Sequence, residues 1–136
     1  MSRRVRSSRL LLDTHALLFW LADDPALPRG VREKLAAPDT EVLVSAASLW
    51  EIAIKTRRGR LTGLEDYLTH HAELHREWGL VPVTMGLEDA VVAGRLRTEH
   101  TDPFDRMLVA QAMRLDALLV TRDAAIRSFW KGTYWE

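Results

Sequence analysis

Four acidic residues, Asp13, Glu51, Asp105 and Asp123, each follow an apolar, strand-like segment or lie on a helix beside one. In an open α/β sheet, functional groups gather outside the carboxyl ends of the strands. Carboxylates that meet there from separate segments repel each other unless a cation lies between them. The pattern therefore predicts a site for a hard divalent metal ion, and it favours hydrolysis of a phosphodiester as the chemistry.

Mg²⁺ suits such a site because it binds carboxylate oxygens, keeps several water ligands and leaves room for phosphate oxygens. One or two such ions can activate a water molecule and neutralise the charge of the leaving and non-bridging oxygens. The four acids are thus candidates both for metal ligands and for catalytic residues.

Short apolar runs alternate with segments of helical periodicity, which predicts a parallel sheet covered by helices on both faces. The first predicted strand ends at Asp13, and Pro82 favours an edge position for the third. Residues 130–136 either add an edge strand or simply pack. The predicted strands are residues 9–13, 41–45, 79–83 and 117–121.

Each acid also has a purely structural interpretation. Asp102 and Asp105 could be a helix cap and a favourable charge in the first turn. Ser48 and Glu51 have the spacing of a capping box, and Asp123 could cap a short final helix.

Asp13 is the hardest of the acids to explain structurally. An acid at the end of a buried strand is costly without a partner, and Thr14 is available to cap the helix that follows. The four acids together are far less readily explained as coincidence than any one of them alone.

The length of 136 residues predicts a single domain over residues 1–136, in which residues 1–8 form a flexible, basic N-terminus. No apolar stretch is long enough to span a bilayer, and Asp13 and His15 interrupt the run that a signal peptide would need. A cytoplasmic protein with no membrane contact is therefore expected. The absence of cysteine excludes disulfides, thiolate zinc sites, iron–sulfur clusters and a cysteine nucleophile.

The formal net charge of zero argues against a protein that coats nucleic acid, but it permits a nuclease whose acidic centre is flanked by cations. Arg106 and Arg122 adjoin acids and are candidates for contacts with substrate phosphates, or for salt bridges that hold the pocket. A basic cluster after the Glu51 helix either compensates the C-terminus of that helix or steers RNA phosphates. The cluster consists of Lys55, Arg57, Arg58 and Arg60.

Histidine and tryptophan provide weaker signals. His71 and His75 have the i, i+4 spacing of a zinc pair, but Ala72 stands where the metalloprotease motif has glutamate, so zinc is not expected. His15 is either a hydrogen-bonding residue of the site or a packed structural residue. The five tryptophans are expected mostly in the core or at interfaces, and no sequence feature supports base stacking by one of them.

Four sequence blocks resemble the PIN-domain ribonucleases in order and spacing, and the third is similar to that of the bacterial VapC-type toxins. The resemblance covers nearly the whole chain. The blocks run from Leu11 to His15, from Val44 to Lys55, from His100 to Ala112 and from Leu119 to Asp123.

This resemblance implies a three-layer α/β/α sandwich with a central parallel sheet of four to five strands. It also implies a Mg²⁺- or Mn²⁺-dependent endoribonuclease that is neutralised by a cognate antitoxin encoded beside it. A homodimer is implied as well, with DNA contacted only indirectly, through the antitoxin complex.

The same resemblance implies roles for the acids. Asp13 and Asp105 would be the principal metal ligands, and Glu51 and Asp123 would complete the pocket directly or through water. The third block offers two aspartates. Asp105 fits the family pattern better, because in that pattern an aliphatic residue follows three positions after the acid and alanine comes soon after it, as Leu108 and Ala110 do here. Asp102 is then a helix cap or a residue that acts on the site without binding the metal.

The sequence fits two other kinds of α/β protein less well. A phospho-acceptor receiver domain pairs acids after its first strand and has a lysine after a late strand, whereas Asp13 stands alone and Arg122 occupies the later position. A nucleotide-binding fold would need a glycine-rich loop after the first or second strand, and none is present. A non-toxin PIN-fold nuclease in RNA processing, or a PIN-like module that binds RNA or a partner without cutting, remains the alternative.

Overall fold

The computed structural model describes residues 8–136. The predicted flexible N-terminus of residues 1–8 lies outside the described residues except for Ser8. The carbonyl of Ser8 accepts a hydrogen bond from the backbone N–H of Glu41.

Strands and helices alternate along the described chain, as the sequence periodicity predicts. The strands are β1 (Arg9–Leu12), β2 (Glu41–Ser45), β3 (Leu80–Val83), β4 (Leu118–Val120) and β5 (Thr133–Tyr134). The helices are α1 (Thr14–Leu21), α2 (Arg29–Ala36), α3 (Ala46–Arg57), α4 (Glu65–Trp78), α5 (Leu87–Arg95), α6 (Pro103–Leu115) and α7 (Ala124–Phe129).

The five strands form one parallel sheet in the order β3-β2-β1-β4-β5. β1 is central, and Leu12 pairs with Val44 of β2 on one side and with Val120 of β4 on the other. Pro82 lies in the edge strand β3, as predicted, because proline has no N–H to donate to a further strand. The C-terminal segment adds β5 at the opposite edge.

Helices cover both faces of the sheet, which confirms the predicted three-layer sandwich. Leu10 and Leu12 belong to a core shared with α1, α2, α3 and α4, whereas Leu11 belongs to a core shared with α6 and α7. Helix α5 packs against α6. The alternation of the three leucines follows from the two-residue period of a strand.

Two predicted helix caps are wrong. Asp13, rather than Thr14, caps α1, because the helix already begins at Thr14. Ser45 caps α3 through the backbone N–H of Ala47, and Ser48 lies inside that helix, so Ser48 and Glu51 form no capping box. In both cases the turn from strand to helix is tighter than the sequence indicates.

Two other predicted caps are confirmed. Asp102 caps α6, with Pro103 in its first turn, and Asp123 caps α7. No helix within residues 8–136 combines the length and the apolar character that crossing a bilayer requires.

Candidate functional site

The site lies where the chain changes direction across the sheet. β2 and β3 lie on one side of β1, and the later strands β4 and β5 lie on the other side. Such a switch point leaves a crevice at the carboxyl ends of the two strands that flank it. Asp13 follows β1 directly, its backbone N–H donating to the carbonyl of Val120 at 3.1 Å, and Asp123 lies just beyond β4.

Asp13 is a buried carboxylate, only 4% exposed. Its Oδ1 accepts a hydrogen bond of 2.8 Å from the backbone N–H of Ala16, and the Thr121 hydroxyl donates another to the carboxylate. Burial raises the pKa of Asp13; hydrogen bonds from Thr121 and Ala16 and the charge of His15 oppose that rise, while the charge of Asp123 adds to it. Burial thus disfavours the ionised form of Asp13, and a bound cation would favour it.

Asp105 lies in the first turn of α6 with its side chain 20% exposed. Its Oδ2 is 2.8 Å from Nε2 of His100. Burial raises the pKa of Asp105 to about 6; the His100 hydrogen bond opposes this rise, and the charges of Asp102 and Asp123 add to it. Asp102 itself accepts the backbone N–H of Asp105 at 3.0 Å, which is the predicted cap.

The negative charge of Asp123 acts on both of the other aspartates. Oδ1 of Asp123 accepts the backbone N–H groups of Ala125 and Ile126 at 2.8 and 3.2 Å, which orients the carboxylate at the start of α7. Its negative charge raises the pKa of both Asp13 and Asp105. Three of the four predicted acids thus share one electrostatic environment at the carboxyl edge of the sheet.

Glu51 differs from the three aspartates. It lies on α3 with its Oε2 2.9 Å from Nζ of Lys55, one turn further along the helix. The charges that shift the pKa values of Asp13 and Asp105 are those of nearby histidines and aspartates, and Glu51 is not among them. In this arrangement Glu51 and Lys55 neutralise each other.

The chemistry of the three aspartates fits a hard divalent cation. Carboxylate oxygens are the donors that Mg²⁺ and Mn²⁺ prefer, and the unfavourable burial of charge at Asp13 and Asp105 is what a cation would relieve. Within residues 8–136, however, no three His, Cys, Asp or Glu side chains are already arranged as a metal-ligand set. Binding would therefore require these side chains to converge further.

The two arginines predicted to contact substrate have other partners. The guanidinium of Arg122 lies 4.7 Å from the centre of the Phe19 ring, a cation–π contact. That of Arg106 donates to main-chain carbonyls across the turn between α5 and α6, which does not support a phosphate contact. These carbonyls belong to Ala93, Gly94, Leu96, Thr98 and His100.

Sequence reasoning missed the residues that position the acids. Thr121 donates to Asp13 and accepts the backbone N–H of Asp123 at 3.0 Å, so it links the two strand ends. Its only sequence signal is a hydroxyl at the end of a buried strand. His100 had no signal beyond its closeness to the start of α6.

Gln111 was also missed. It is fully buried on α6, where its Oε1 accepts the Ser45 hydroxyl at 2.5 Å and its Nε2 donates to the Thr84 carbonyl at 3.2 Å. It therefore ties the helix that carries Asp105 to the end of β2. A lone amide on an otherwise apolar helix face was the signal that could have found it.

Comparison with known proteins supports the fold described above. A model of the PIN domain matches residues 10–130. The comparison with curated proteins gives no match. Among solved structures, the chain is similar to a chain in the crystal structure of VapBC2 from Rickettsia felis bound to a DNA fragment from its promoter. The TM-score is 0.67 and the sequence identity is 17%. The match covers 94% of this chain and 97% of that chain. At this identity the likeness shows a shared fold.

Proposed function

Because the chain belongs to the PIN domain family, we propose that it is a Mg²⁺- or Mn²⁺-dependent endoribonuclease and the toxin of a toxin–antitoxin pair. It acts on RNA in the cytoplasm and is inhibited by a cognate antitoxin. The observation that carries the proposal is that Asp123 lies close enough to both Asp13 and Asp105, at the carboxyl edge of the sheet, for its charge to raise the pKa of each.

Asp13, Asp105 and Asp123 would hold the ion, and Glu51 would join them after releasing Lys55 or would act through water. When bound, the ion supplies an activated water molecule and charge neutralisation at the phosphate. The surrounding residues orient the acids. The Thr121 hydroxyl and the N-terminus of α1 orient the carboxylate of Asp13. The N-terminus of α7 orients that of Asp123, and the His100 ring orients that of Asp105.

The test is cleavage of RNA by the purified chain with Mg²⁺ or Mn²⁺. Asp13→Asn and Asp105→Asn should each abolish cleavage while circular dichroism shows an unchanged fold. Asp39→Asn, at an exposed acid on the loop before β2, is the matched control and should cut normally. Undiminished cleavage by both pocket variants would refute the assigned roles.

An apolar groove supports the antitoxin as a partner. It lies between α1 and α4, has a volume of about 580 Å³, and is lined by Leu18, Phe19, Leu61, Tyr67 and Trp78 among others. Apolar grooves of this kind accept an apolar segment of a partner. The similar R. felis structure is of VapBC2 bound to a promoter DNA fragment, which favours an antitoxin as the partner.

Co-expression with a short open reading frame immediately upstream tests the toxin role. The two products should co-purify, and RNA cleavage should be suppressed until the partner is removed. A nuclease that cuts RNA but has no such neighbour would instead be the RNA-processing enzyme of the alternative. The proposed homodimer is checked in the same preparations by sedimentation, and the exposed Leu87 and Val91 of α5 are candidates for its contact.

A further inference from the structure

Trp50 and Phe104 form an aromatic pair, and each is the sequence neighbour of one of the four candidate acids. Trp50 immediately precedes Glu51 on α3, and Phe104 immediately precedes Asp105 on α6. Their ring centres are 5.2 Å apart at an interplanar angle of 81°, an edge-on contact that holds the indole in position. Trp50 is nevertheless 56% exposed. A large ring is thus held beside the site with much of its surface open to solvent.

The surface of α3 becomes basic beyond Trp50. Arg57 lies seven residues further on, which is two helical turns, so both residues face the same side about 10 Å apart along the axis. Arg57 and its neighbour Arg58 are exposed. Because α3 starts at the carboxyl edge of the sheet, this line of residues leads away from the acids. An aromatic platform followed by cations is the pattern by which proteins bind single-stranded nucleic acid.

We infer that Trp50 stacks on an unpaired RNA base next to the phosphate to be cut, with Arg57 contacting the backbone beyond it. This inference rests on the proposed function and specifies which side chains hold the substrate strand beside the acids. An indole can stack only on a base whose face is open, and in a duplex the neighbouring base pairs cover those faces. The cations beside Trp50 favour an anionic strand over a protein surface as the occupant.

Binding of a fluorescent single-stranded RNA of mixed sequence in EDTA tests the inference without cleavage. Trp50→Leu keeps an apolar side chain but removes the ring, and it should weaken binding about tenfold. Trp50→Phe retains an aromatic face and should stay within about threefold of the unmodified chain. The duplex form of the same RNA should bind all three proteins alike. Arg57→Gln should lower the slope of log affinity against log salt by about 0.7.

Met113→Ala is the matched control, because Met113 is also an exposed apolar residue, at 44%, but lies at the opposite end of α6 from Asp105. It should leave RNA affinity unchanged. Equal affinity of the unmodified chain and Trp50→Leu, alongside Asp13-dependent cleavage, would overturn this inference and leave the proposed function standing. Loss of affinity caused only by dissociation of a self-assembled form, seen by sedimentation, would also overturn it. Absence of any binding or cleavage by the unmodified chain would overturn both.

Discussion

Replacing Asp105 with asparagine should make the metal-free protein more stable at neutral pH. Burial raises the pKa of Asp105 from 3.8 to about 6, so at neutral pH the folded chain holds a charge that its surroundings disfavour. Asparagine has nearly the same shape and no charge. An acid that merely stabilises its own helix would show the opposite response, because its removal would cost stability.

The size of the effect follows from the pKa difference. At 1.36 kcal/mol per pH unit, a rise from 3.8 to about 6 corresponds to about 3 kcal/mol at most. Because the side chain is 20% exposed, water screens part of this, and we expect a gain of about 1–2 kcal/mol, or about 3–8 °C in Tm. The folded-state pKa lies above the unfolded one, so the penalty is absent below pH 3.8 and complete above about pH 6.

Thermal unfolding in EDTA at about pH 7.5 and about pH 4 measures this effect. Asp105→Asn should melt above the unmodified chain at the higher pH and level with it at the lower pH. Saturating Mg²⁺ at the higher pH should raise the Tm of the unmodified chain alone, because the variant lacks a ligand.

Asp89→Asn is the matched control. Asp89 is buried on α5, and its two carboxylate oxygens accept from Nε and Nη2 of Arg114 at 2.6 and 3.0 Å. The hydrogen bond from Arg114 lowers the pKa of Asp89, so asparagine there should cost about 1–3 kcal/mol. If both variants lost stability to the same extent in EDTA, the reasoning about the pocket would be wrong.

Three further predictions concern the surroundings of the site. Arg106→Lys should lower the free energy of unfolding by about 1–3 kcal/mol in urea titrations without changing the salt dependence of RNA binding, because the guanidinium holds main-chain carbonyls. Gln111→Ala should cost about 2–4 kcal/mol by the same measurement, since it leaves a cavity and removes the acceptor of the Ser45 hydroxyl proton. Thr121→Val should reduce cleavage at limiting Mg²⁺ and recover at high Mg²⁺ in a metal titration, because the Asp13 carboxylate loses a hydrogen bond that orients it.

Much of the fold could be predicted from local patterns. The leucine run of β1, the apolar runs of β2 and β4 and the cap-and-proline start of α6 each depend on residues close together in the chain. The strand ends therefore indicated where Asp13 and Asp123 emerge, because carboxyl ends of parallel strands share an edge. Local patterns failed to identify two helix caps. Asp13 caps α1 in place of Thr14, and Ser45 caps α3 in place of Ser48, because the exact turn from strand to helix decides which of the two residues takes the cap position.

The sequence by itself predicted the fold class, which the structure confirms, and it proposed the carboxyl edge as the site and four acids as the residues that could act there. Only the tertiary structure decided which of those acids lie close enough to act on one another electrostatically. Pairing of Leu12 with Val120 brings Asp13 beside Thr121 and Asp123. Glu51 instead forms a salt bridge with Lys55, and Arg106 donates hydrogen bonds to main-chain carbonyl groups. The physical reason is that strand register and helix packing join residues far apart in the chain, and the partner of a charged side chain is set by those distant contacts rather than by its sequence neighbours.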